Sequence, residues 1–320
     1  MQTKVVILGT GGTIAGTARS AADAVSYDAA QIGIAQLMAA VPAMAQVPFE
    51  SEQVAQIDSK DMDYATWQHL ASRAAFHLAR PEVTGVVVAH GTDTVEETAY
   101  FLHRVLAPAK PLVLTAAMRP ATALQADGPQ NLLDAVQVVL HRGARGVTVV
   151  MAGTVHAACD VSKAHPYRLD PLTSGDAGPL ARIEEGRMRL FREWPRGQAL
   201  GLTLISVPLA QWPRVEIVTS HAGAGGQLID AVVASGAQGL VVAGTGNGTV
   251  HRELLAALLR AQAAGVKVFY STRCATGAVV LPAGAAVPPE DGLTPVKARI
   301  ELLLHLLSGL AALPPQAATS

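Results

Sequence analysis

The chain has 320 residues, of which half are hydrophobic and 15% are charged, and its formal net charge is −1 with histidine neutral. A near-neutral chain lacks the basic excess that nucleic acids and anionic membrane surfaces attract, so we predict neither as a partner. The length allows two domains, and the apolar content suffices for a large core and a subunit interface.

Cysteine and histidine show no metal-binding spacing. The two cysteines, Cys159 and Cys274, favour reduced, half-buried thiols over a single disulfide, and the ten histidines are scattered, so we predict no metal. No uncharged apolar run is long enough to span a bilayer. The start MQTKVV leads directly into a strand, which predicts no signal peptide and a cytoplasmic location; a periplasmic location would require a trimmed leader.

The first element is a short apolar strand, Val5 to Leu8, that ends in a glycine-rich turn with the sequence GTGGT. Glycines let the backbone turn sharply and approach a ligand closely, and the turn leaves the hydroxyl of Thr13 at its mouth. A tight strand exit without a ligand fits this turn equally well. A dinucleotide fingerprint would need a third glycine where Ile14 stands, so an oxidoreductase is disfavoured.

Strands and amphipathic helices then alternate through the first half of the chain. Periodicity predicts strands at 52–57, 83–89, 111–115 and 147–152, and helices at 29–41, at 65–78, from 95 and from 129. In the last of these helices, His141 and Arg142 are predicted in the final turn and Gly143 at the end.

Between 169 and 213 prolines and glycines blur the pattern, and a smaller α/β unit follows. Its predicted strands are 215–219, 240–243 and 266–271, and its predicted helices are 227–235, 251–264 and 296–307, the last closed by Gly309. We predict an N-terminal catalytic α/β domain at 1–190 with a mixed, mainly parallel sheet. A linker at 191–213 and a smaller C-terminal parallel α/β domain at 214–320 complete the chain.

Four predicted strands end in a Gly–Thr pair, at 9–10, 91–92, 153–154 and 244–245. Both residue types simply suit strand exits, so any single pair carries little information. The four together predict one sheet edge with hydroxyl groups around a shared cleft.

Several residues near these turns suit acyl transfer. A threonine hydroxyl is a weak nucleophile until a neighbouring base takes its proton. Lys163 is a solvated charge in a loop or, in a dry cleft, a base. Asp93 or Thr94 is a helix N-cap, or else the Asp93 carboxylate is a partner for a substrate ammonium. Tyr27 follows the small, polar stretch 15–26 and is either a packing residue or part of a lid.

The stretches GTGGTIAG and VVVAHGTDTVEETA resemble the two signature stretches of the bacterial L-asparaginase family. The likeness extends to SYDAAQIGIAQLMAAVP, DSKDM, DVSK, GTGNG and TPVKAR, and so covers nearly the whole chain. The resemblance implies hydrolysis of L-asparagine to L-aspartate and ammonia in asparagine catabolism, without a cofactor. It also implies a homotetramer built as a dimer of dimers.

The resemblance also assigns roles to catalytic residues. Thr13 matches the nucleophile that forms an aspartyl ester, and Tyr27 matches the lid tyrosine that assists it. Thr92, with Asp93 and Lys163, matches the group that positions or activates the hydrolytic water.

Further residues match the family's substrate contacts. Ser59 matches the residue that holds the substrate's α-carboxylate, and Asp93 the one that holds its α-amino group. Asn247 matches a residue that reaches in from a neighbouring subunit. Backbone N–H groups of the turn at Gly12 and of Thr92 would meet the oxyanion.

Two positions depart from the family pattern. Many members carry Gln where Lys60 stands, and a lysine there could attract the α-carboxylate or point away. Members with strong glutaminase activity carry a Glu soon after a TGA turn, but here no acid occurs between Ala278 and Glu290. We therefore predict weak or no glutaminase activity. The alternatives are a glutaminase-asparaginase, a tRNA-dependent amidotransferase subunit, or an amino-acid-binding protein without turnover.

Overall fold

The structure, a computed structural model, describes residues 3–22, 26–280 and 292–311. The chain forms two compact units, Met1–Leu202 and Thr203–Ser320. Their boundary falls within the predicted linker 191–213, and the limits given above for the two domains stay predictions.

The first unit is built on an eight-stranded sheet with the strand order β12-β11-β8-β7-β6-β5-β1-β4. The strands of this unit are β1 Lys4–Gly11, β2 Thr17–Ala18, β3 Tyr27–Asp28, β4 Phe49–Ile57, β5 Val83–Ala89, β6 Pro111–Thr115, β7 Gly146–Met151, β8 Thr154–Ala157, β9 Ser162–Lys163, β10 Leu172–Thr173, β11 Ala181–Glu184 and β12 Arg187–Leu190. Its α-helices are α1 Ile34–Ala39, α2 Tyr64–Ala79, α3 Val95–Leu106 and α4 Gly128–Leu140.

Strands β4, β1, β5, β6 and β7 run parallel, whereas β8, β11 and β12 extend the sheet in antiparallel fashion. The predicted mixed, mainly parallel sheet is therefore confirmed. Of these parallel strands, β1, β5, β6 and β7 are near-continuous apolar runs, as expected for strands covered on both faces, whereas the edge strand β4 is largely polar. Val5 to Leu8 of β1 are fully buried.

Helices α1 and α4 contribute to one apolar cluster with the sheet, and α2 and α3 contact β5 and β7. Helix α2 begins as its sequence indicates, because the Asp63 side chain accepts a hydrogen bond from the Thr66 amide at 2.7 Å.

Two helix predictions need correction. The helix predicted at 29–41 begins only at Ile34. The Ala30 amide donates instead to the Gly12 carbonyl, and the next two amides donate to the Ala15 carbonyl. Helix α4 ends at Leu140: His141 has extended backbone and lies outside the helix, as do Arg142 and Gly143.

The second unit contains a three-stranded parallel sheet, β13-β14-β15, in agreement with the predicted smaller parallel α/β domain. Its elements are α5 Leu202–Ile205, β13 Val215–Thr219, α6 Gln227–Ala234, β14 Gly239–Gly244, α7 Arg252–Ala263, β15 Lys267–Thr272 and α8 Pro295–Ala311. Gly309 does not close α8 but lies inside it, in open space where a glycine is tolerated.

One of the two cysteines differs from the prediction in its exposure. Cys159 is half-buried, but Cys274 is exposed, and no disulfide joins the two. None of the helices in the described part of the chain is long and apolar enough to cross a membrane.

Candidate active site

The candidate site lies at the carboxyl edge of the large sheet. Strands β4, β1, β5 and β6 are neighbours and run in the same direction, so the segments that follow them meet at one edge. Ligands of open α/β sheets bind at this edge.

Two glycines bring the turns after β1 and β5 into backbone contact. Gly12 has a φ of +79°, and a Cβ at this position would lie 2.4 Å from the Cα of Gly91. A Cβ on Gly91 would in turn lie 2.4 Å from the Oγ of Ser59. Gly12 therefore acts here by permitting close approach of the two turns, and it does not line the cavity described below.

Thr13 opens a short 3₁₀ helix, Thr13–Ala15, and is 9% exposed. Its Oγ1 lies 2.7 Å from the hydroxyl oxygen of Tyr27, and either group can donate the hydrogen bond. Tyr27 is held by antiparallel pairing of β3 with β2, in which it opposes Ala18. Part of the predicted lid, residues 23–25, lies outside the described residues.

Thr92, Asp93 and Lys163 form a second hydrogen-bonded group. The Lys163 Nζ donates to Thr92 Oγ1 at 2.9 Å and pairs with Asp93 Oδ1 at 2.5 Å. The Lys163 side chain is 17% exposed, so it is not the solvated loop charge that was the alternative. Its backbone amide also donates to Glu96 Oε1 at 3.1 Å, which anchors the short strand β9 beside the start of α3.

The alternative role of Asp93 or Thr94 as a side-chain cap of α3 is wrong. Thr94 occupies the N-cap position but makes no side-chain cap hydrogen bond. Its hydroxyl instead donates to the Ser59 carbonyl at 2.7 Å, and the Asp93 amide donates to Ser59 Oγ at 3.2 Å. These bonds fix the turn after β4 against the turn after β5.

Lys60, a predicted substrate contact, is turned away from the site. Its ammonium pairs with Asp61 and lies 3.6 Å from Asp58 Oδ2, and it does not line the cavity. This placement does not support the predicted contact, because both acidic partners are its sequence neighbours and hold it outside.

A cavity of about 200 Å³ joins the two hydroxyl groups. This volume lies below the roughly 300–1,000 Å³ of pockets for drug-sized ligands, so the cavity suits a small molecule. It is lined by Thr13, Tyr27, Thr92, Asp93, Met118, Arg119, Lys163, Pro166 and Tyr167. All five predicted catalytic side chains therefore meet around one space.

Four lining residues were not predicted, namely Met118, Arg119, Pro166 and Tyr167. The first two follow β6 at the same sheet edge, so a cationic side chain directly after a predicted strand was a usable signal. Pro166 and Tyr167 lie in the loop between β9 and β10, whose sequence shows no hydrophobic periodicity.

The predicted cleft of four Gly–Thr pairs is wrong. Of their threonines, only Thr92 lines the cavity. Thr10 is buried within β1, where its hydroxyl donates to the Ala89 carbonyl at 3.1 Å. Thr154 follows a hairpin turn between antiparallel β7 and β8, and Thr245 belongs to the sheet of the second unit.

Asn247 also belongs to the second unit, and its side chain is engaged there. Its Nδ2 donates to the Val280 carbonyl and its Oδ1 accepts from the Val280 amide, both at 2.7 Å. Glu290, the first acid after the TGA turn, lies outside the described residues.

His90 supports the turn after β5 from inside the core. It is fully buried, and burial lowers the pKa of its imidazole from 6.5 to about 4. A neutral ring with the proton on Nδ1 donates to the Gly91 carbonyl at 2.7 Å and accepts on Nε2 from Thr98 Oγ1 at 3.0 Å. Thr98 in turn accepts from Trp67 Nε1 at 2.9 Å, so every polar side-chain atom of these three residues has a hydrogen-bond partner.

Among the described residues, no group of three or more His, Cys, Asp or Glu side chains could hold a metal ion. The predicted absence of a metal and of a cofactor stays a prediction.

Comparisons with known proteins identify the family of this chain. The family model "Asparaginase, N-terminal" matches residues 4–196, and "Glutaminase/Asparaginase C-terminal domain" matches residues 214–312. The chain is 37% identical to a glutaminase-asparaginase of Pseudomonas fluorescens biotype A, over 94% of this chain and 86% of that protein. It is 36% identical to L-asparaginase 2 of Escherichia coli K12, over 94% and 88% of the two chains.

A solved structure, described as a probable cytoplasmic L-asparaginase from Campylobacter jejuni, is similar with a TM-score of 0.88 and 36% identity. The match covers 95% of each chain. These matches confirm the resemblance found in the signature stretches. The protein therefore belongs to the bacterial L-asparaginase family and is an amidohydrolase of the L-asparaginase type that acts on a small molecule.

Proposed function

We propose that this enzyme hydrolyses the side-chain amide of L-asparagine to L-aspartate and ammonia through an ester on Thr13. One observation carries the proposal: a single small cavity holds two threonine hydroxyls, each hydrogen-bonded to a different proton-transfer group. Covalent hydrolysis in two steps needs a nucleophile for the first step and an activated water for the second.

In the first step, Thr13 Oγ1 attacks the amide carbonyl carbon while its proton passes to Tyr27. The phenol returns a proton to the departing nitrogen, so the C–N bond breaks, ammonia leaves and an aspartyl ester remains. Backbone N–H groups at the tight turns near Gly12 and Thr92 are suited to the oxyanion. Asp93 offers a carboxylate for the substrate ammonium.

In the second step, water adds to the ester carbonyl. Thr92, with Lys163 at 2.9 Å, positions the water and removes its proton, and Thr13 recovers a proton as the C–O bond breaks. L-Aspartate leaves, and its new carboxyl proton is taken up by ammonia. Because Lys163 is paired with Asp93 at 2.5 Å, its ammonium can pass a proton to that carboxylate, and the amine that this leaves accepts the water proton through Thr92.

Weak or absent glutaminase activity remains part of the proposal. It rests on the lack of an acidic residue between Ala278 and Glu290, where the resemblance to the family implies a Glu in members with strong glutaminase activity. The names of the relatives include both asparaginases and a glutaminase-asparaginase, so this point depends on measurement.

We also propose a homotetramer, a dimer of dimers, in which Asn247 serves the neighbouring subunit's site. For this role its amide would have to exchange the Val280 backbone for a ligand. The compartment that we propose is the cytoplasm. The Campylobacter jejuni relative is described as a probable cytoplasmic L-asparaginase.

The test is ammonia release by the purified protein with L-asparagine and L-glutamine in parallel. Release from L-asparagine at a rate far above that from L-glutamine supports both parts of the proposal. Comparable release from both would overturn the specificity and favour a glutaminase-asparaginase. Tight binding of L-asparagine without release of ammonia would contradict the proposed hydrolysis and indicate an amino-acid-binding protein.

A further inference from the structure

Tyr27, whose hydroxyl meets Thr13 in the cavity, stands on a very short piece of sheet. It lies in β3, which pairs antiparallel with β2, and Ala18 of β2 lies opposite it. Two strands alone are at best marginally stable in water, and these strands have two residues each. The position of the phenol therefore depends on what else holds β2.

Three hydrogen bonds join the segment 16–21, which contains β2, to the segment 121–124, which follows β6. They run from the Ala121 amide to the Gly16 carbonyl at 3.0 Å, from the Leu124 amide to the Ala21 carbonyl at 3.1 Å, and from the Ala18 amide to Thr122 Oγ1 at 2.8 Å. The first two join backbone groups, which nearly every residue type supplies. The third needs a side chain with an acceptor, so the identity of Thr122 matters for this contact.

The backbone next to Thr122 is held to the start of α4. Asp127 accepts hydrogen bonds from the Met118 amide at 3.0 Å and from the Arg119 amide at 2.9 Å. Asn131, which is 2% exposed, donates to Asp127 Oδ2 at 3.1 Å. Thr122 therefore belongs to a segment that is anchored in the first unit, and β2 is the partner that it holds.

The contact at Thr122 leads to the cavity through β2. Gly16, just before β2, lies under the Tyr27 ring, because a Cβ added there would be 3.0 Å from Tyr27 Cδ2. A shift of β2 would thus move both the strand opposite Tyr27 and the backbone against its ring. Thr122 itself is exposed and does not line the cavity, so its side chain does not act on a ligand there directly.

We propose that Thr122 is a positioning residue, whose hydroxyl holds β2 and thereby keeps the Tyr27 phenol within hydrogen-bond distance of Thr13. The proposal rests on the proposed function, in which Tyr27 relays the proton of Thr13. Proton transfer needs the two oxygens within about 2.6–3.2 Å of each other. Loss of the Thr122 hydroxyl lowers the fraction of enzyme in which this distance is met but leaves the substrate contacts in place.

The test compares kcat and KM for L-asparagine in the native enzyme, Thr122→Val and Thr122→Ser. Valine replaces the accepting hydroxyl by a methyl group of similar size. We expect kcat to fall about three- to tenfold, the factor that one net hydrogen bond supplies, and KM to stay within about twofold. Serine keeps the hydroxyl, so Thr122→Ser should retain the native kcat.

A double variant shows whether the effect passes through the phenol. Tyr27→Phe removes the hydroxyl that Thr122 is proposed to place, so adding Thr122→Val to Tyr27→Phe should lower kcat no further. Ser20→Ala is the matched control within the same segment. The Ser20 hydroxyl accepts a local hydrogen bond from the Ala22 amide at 3.4 Å, and its removal should leave kcat at the native value.

A native kcat in Thr122→Val would overturn the positioning role. So would a serine variant as slow as the valine variant, or a further loss of kcat in the double variant, because the effect would then not depend on the hydroxyl of Thr122 or of Tyr27. If the native protein releases no ammonia from L-asparagine, the proposed function itself fails, which is a separate result from any of these.

Discussion

At the scale of single residues, the two cavity threonines differ in their partners. Thr13 faces the phenol of Tyr27, and Thr92 faces the ammonium of Lys163. A phenol can relay a proton during attack by a hydroxyl, whereas a lysine next to a carboxylate suits activation of water. In the proposed mechanism this difference assigns the first chemical step to Thr13 and the second to Thr92, and each assignment can be tested separately.

Thr13→Val should abolish turnover, because it replaces the attacking oxygen by a methyl group of nearly equal size. We expect kcat to fall by about 1,000-fold or more, as for other lost nucleophiles. The control is Thr10→Val, which removes a buried hydroxyl three residues away that bonds the Ala89 carbonyl. Steady-state ammonia release measures both, and near-native activity in Thr13→Val would identify another nucleophile.

Lys163→Met should slow the second step more than the first. With water no longer activated, the aspartyl ester on Thr13 should accumulate and be trapped by acid quenching as a mass increase of one aspartyl group. Lys110→Met is the control, since Lys110 donates to the Arg80 carbonyl and does not line the cavity. A slow Lys163→Met enzyme without a trapped ester would place Lys163 in the first step.

At the scale of elements, the active-site turns depend on the approach of Gly12 to Gly91. Gly12→Ala should destabilise the fold by about 2 kcal/mol or more, because it adds a backbone clash to an unfavourable positive φ. Gly143→Ala separates the two costs: Gly143 has a φ of +85° with nothing within 4 Å of an added Cβ. Gly143→Ala should lower the free energy of unfolding by only about 1 kcal/mol.

Urea unfolding and ammonia release should be measured on both glycine variants. Gly143→Ala should keep native activity, and Gly12→Ala should lose most of it because the turns carrying Thr13 and Thr92 are forced apart. Equal stability losses in the two variants would show that the clash relaxes at no cost.

The central strands could be predicted from the sequence. Strands β5 and β6 coincide residue for residue with the predicted runs, because strands buried on both faces are nearly uninterrupted apolar stretches. The two-residue strands β2, β3, β9 and β10 could not, since two residues show no periodicity and each strand exists only through pairing with its antiparallel partner.

The same distinction holds in the candidate site. The predicted catalytic side chains follow recognisable turns, and they meet around one cavity. Tyr167 could not be found, because its stacking on Arg119 joins residues 48 positions apart in sequence. Both orientations of Lys60 stayed open at the level of the sequence, because the residue type does not say whether a lysine turns to a ligand or to the acids beside it.

At the scale of the whole molecule, the stability of the fold should depend on pH through His90. Its pKa is 6.5 when unfolded and about 4 when folded, because the buried imidazole is neutral. Between these values the unfolded chain binds a proton that the folded chain does not. The contribution of His90 to the free energy of unfolding is therefore fully present above about pH 6.5. It is lost as the pH falls to about 4, by roughly 3 kcal/mol in total.

His90→Asn isolates this contribution, because its amide can still donate to the Gly91 carbonyl but does not titrate. The free energy of unfolding in urea should be measured for both proteins from about pH 7 to about pH 4. Glu50 and Glu52, whose pKa values are lowered to about 2 by Arg80 and by Arg73, make both proteins less stable in acid. Their effect cancels in the difference between the free energies of unfolding of the native protein and of His90→Asn. That difference should become smaller in acid. Parallel curves of the two free energies against pH would show that His90 takes up its proton without unfolding.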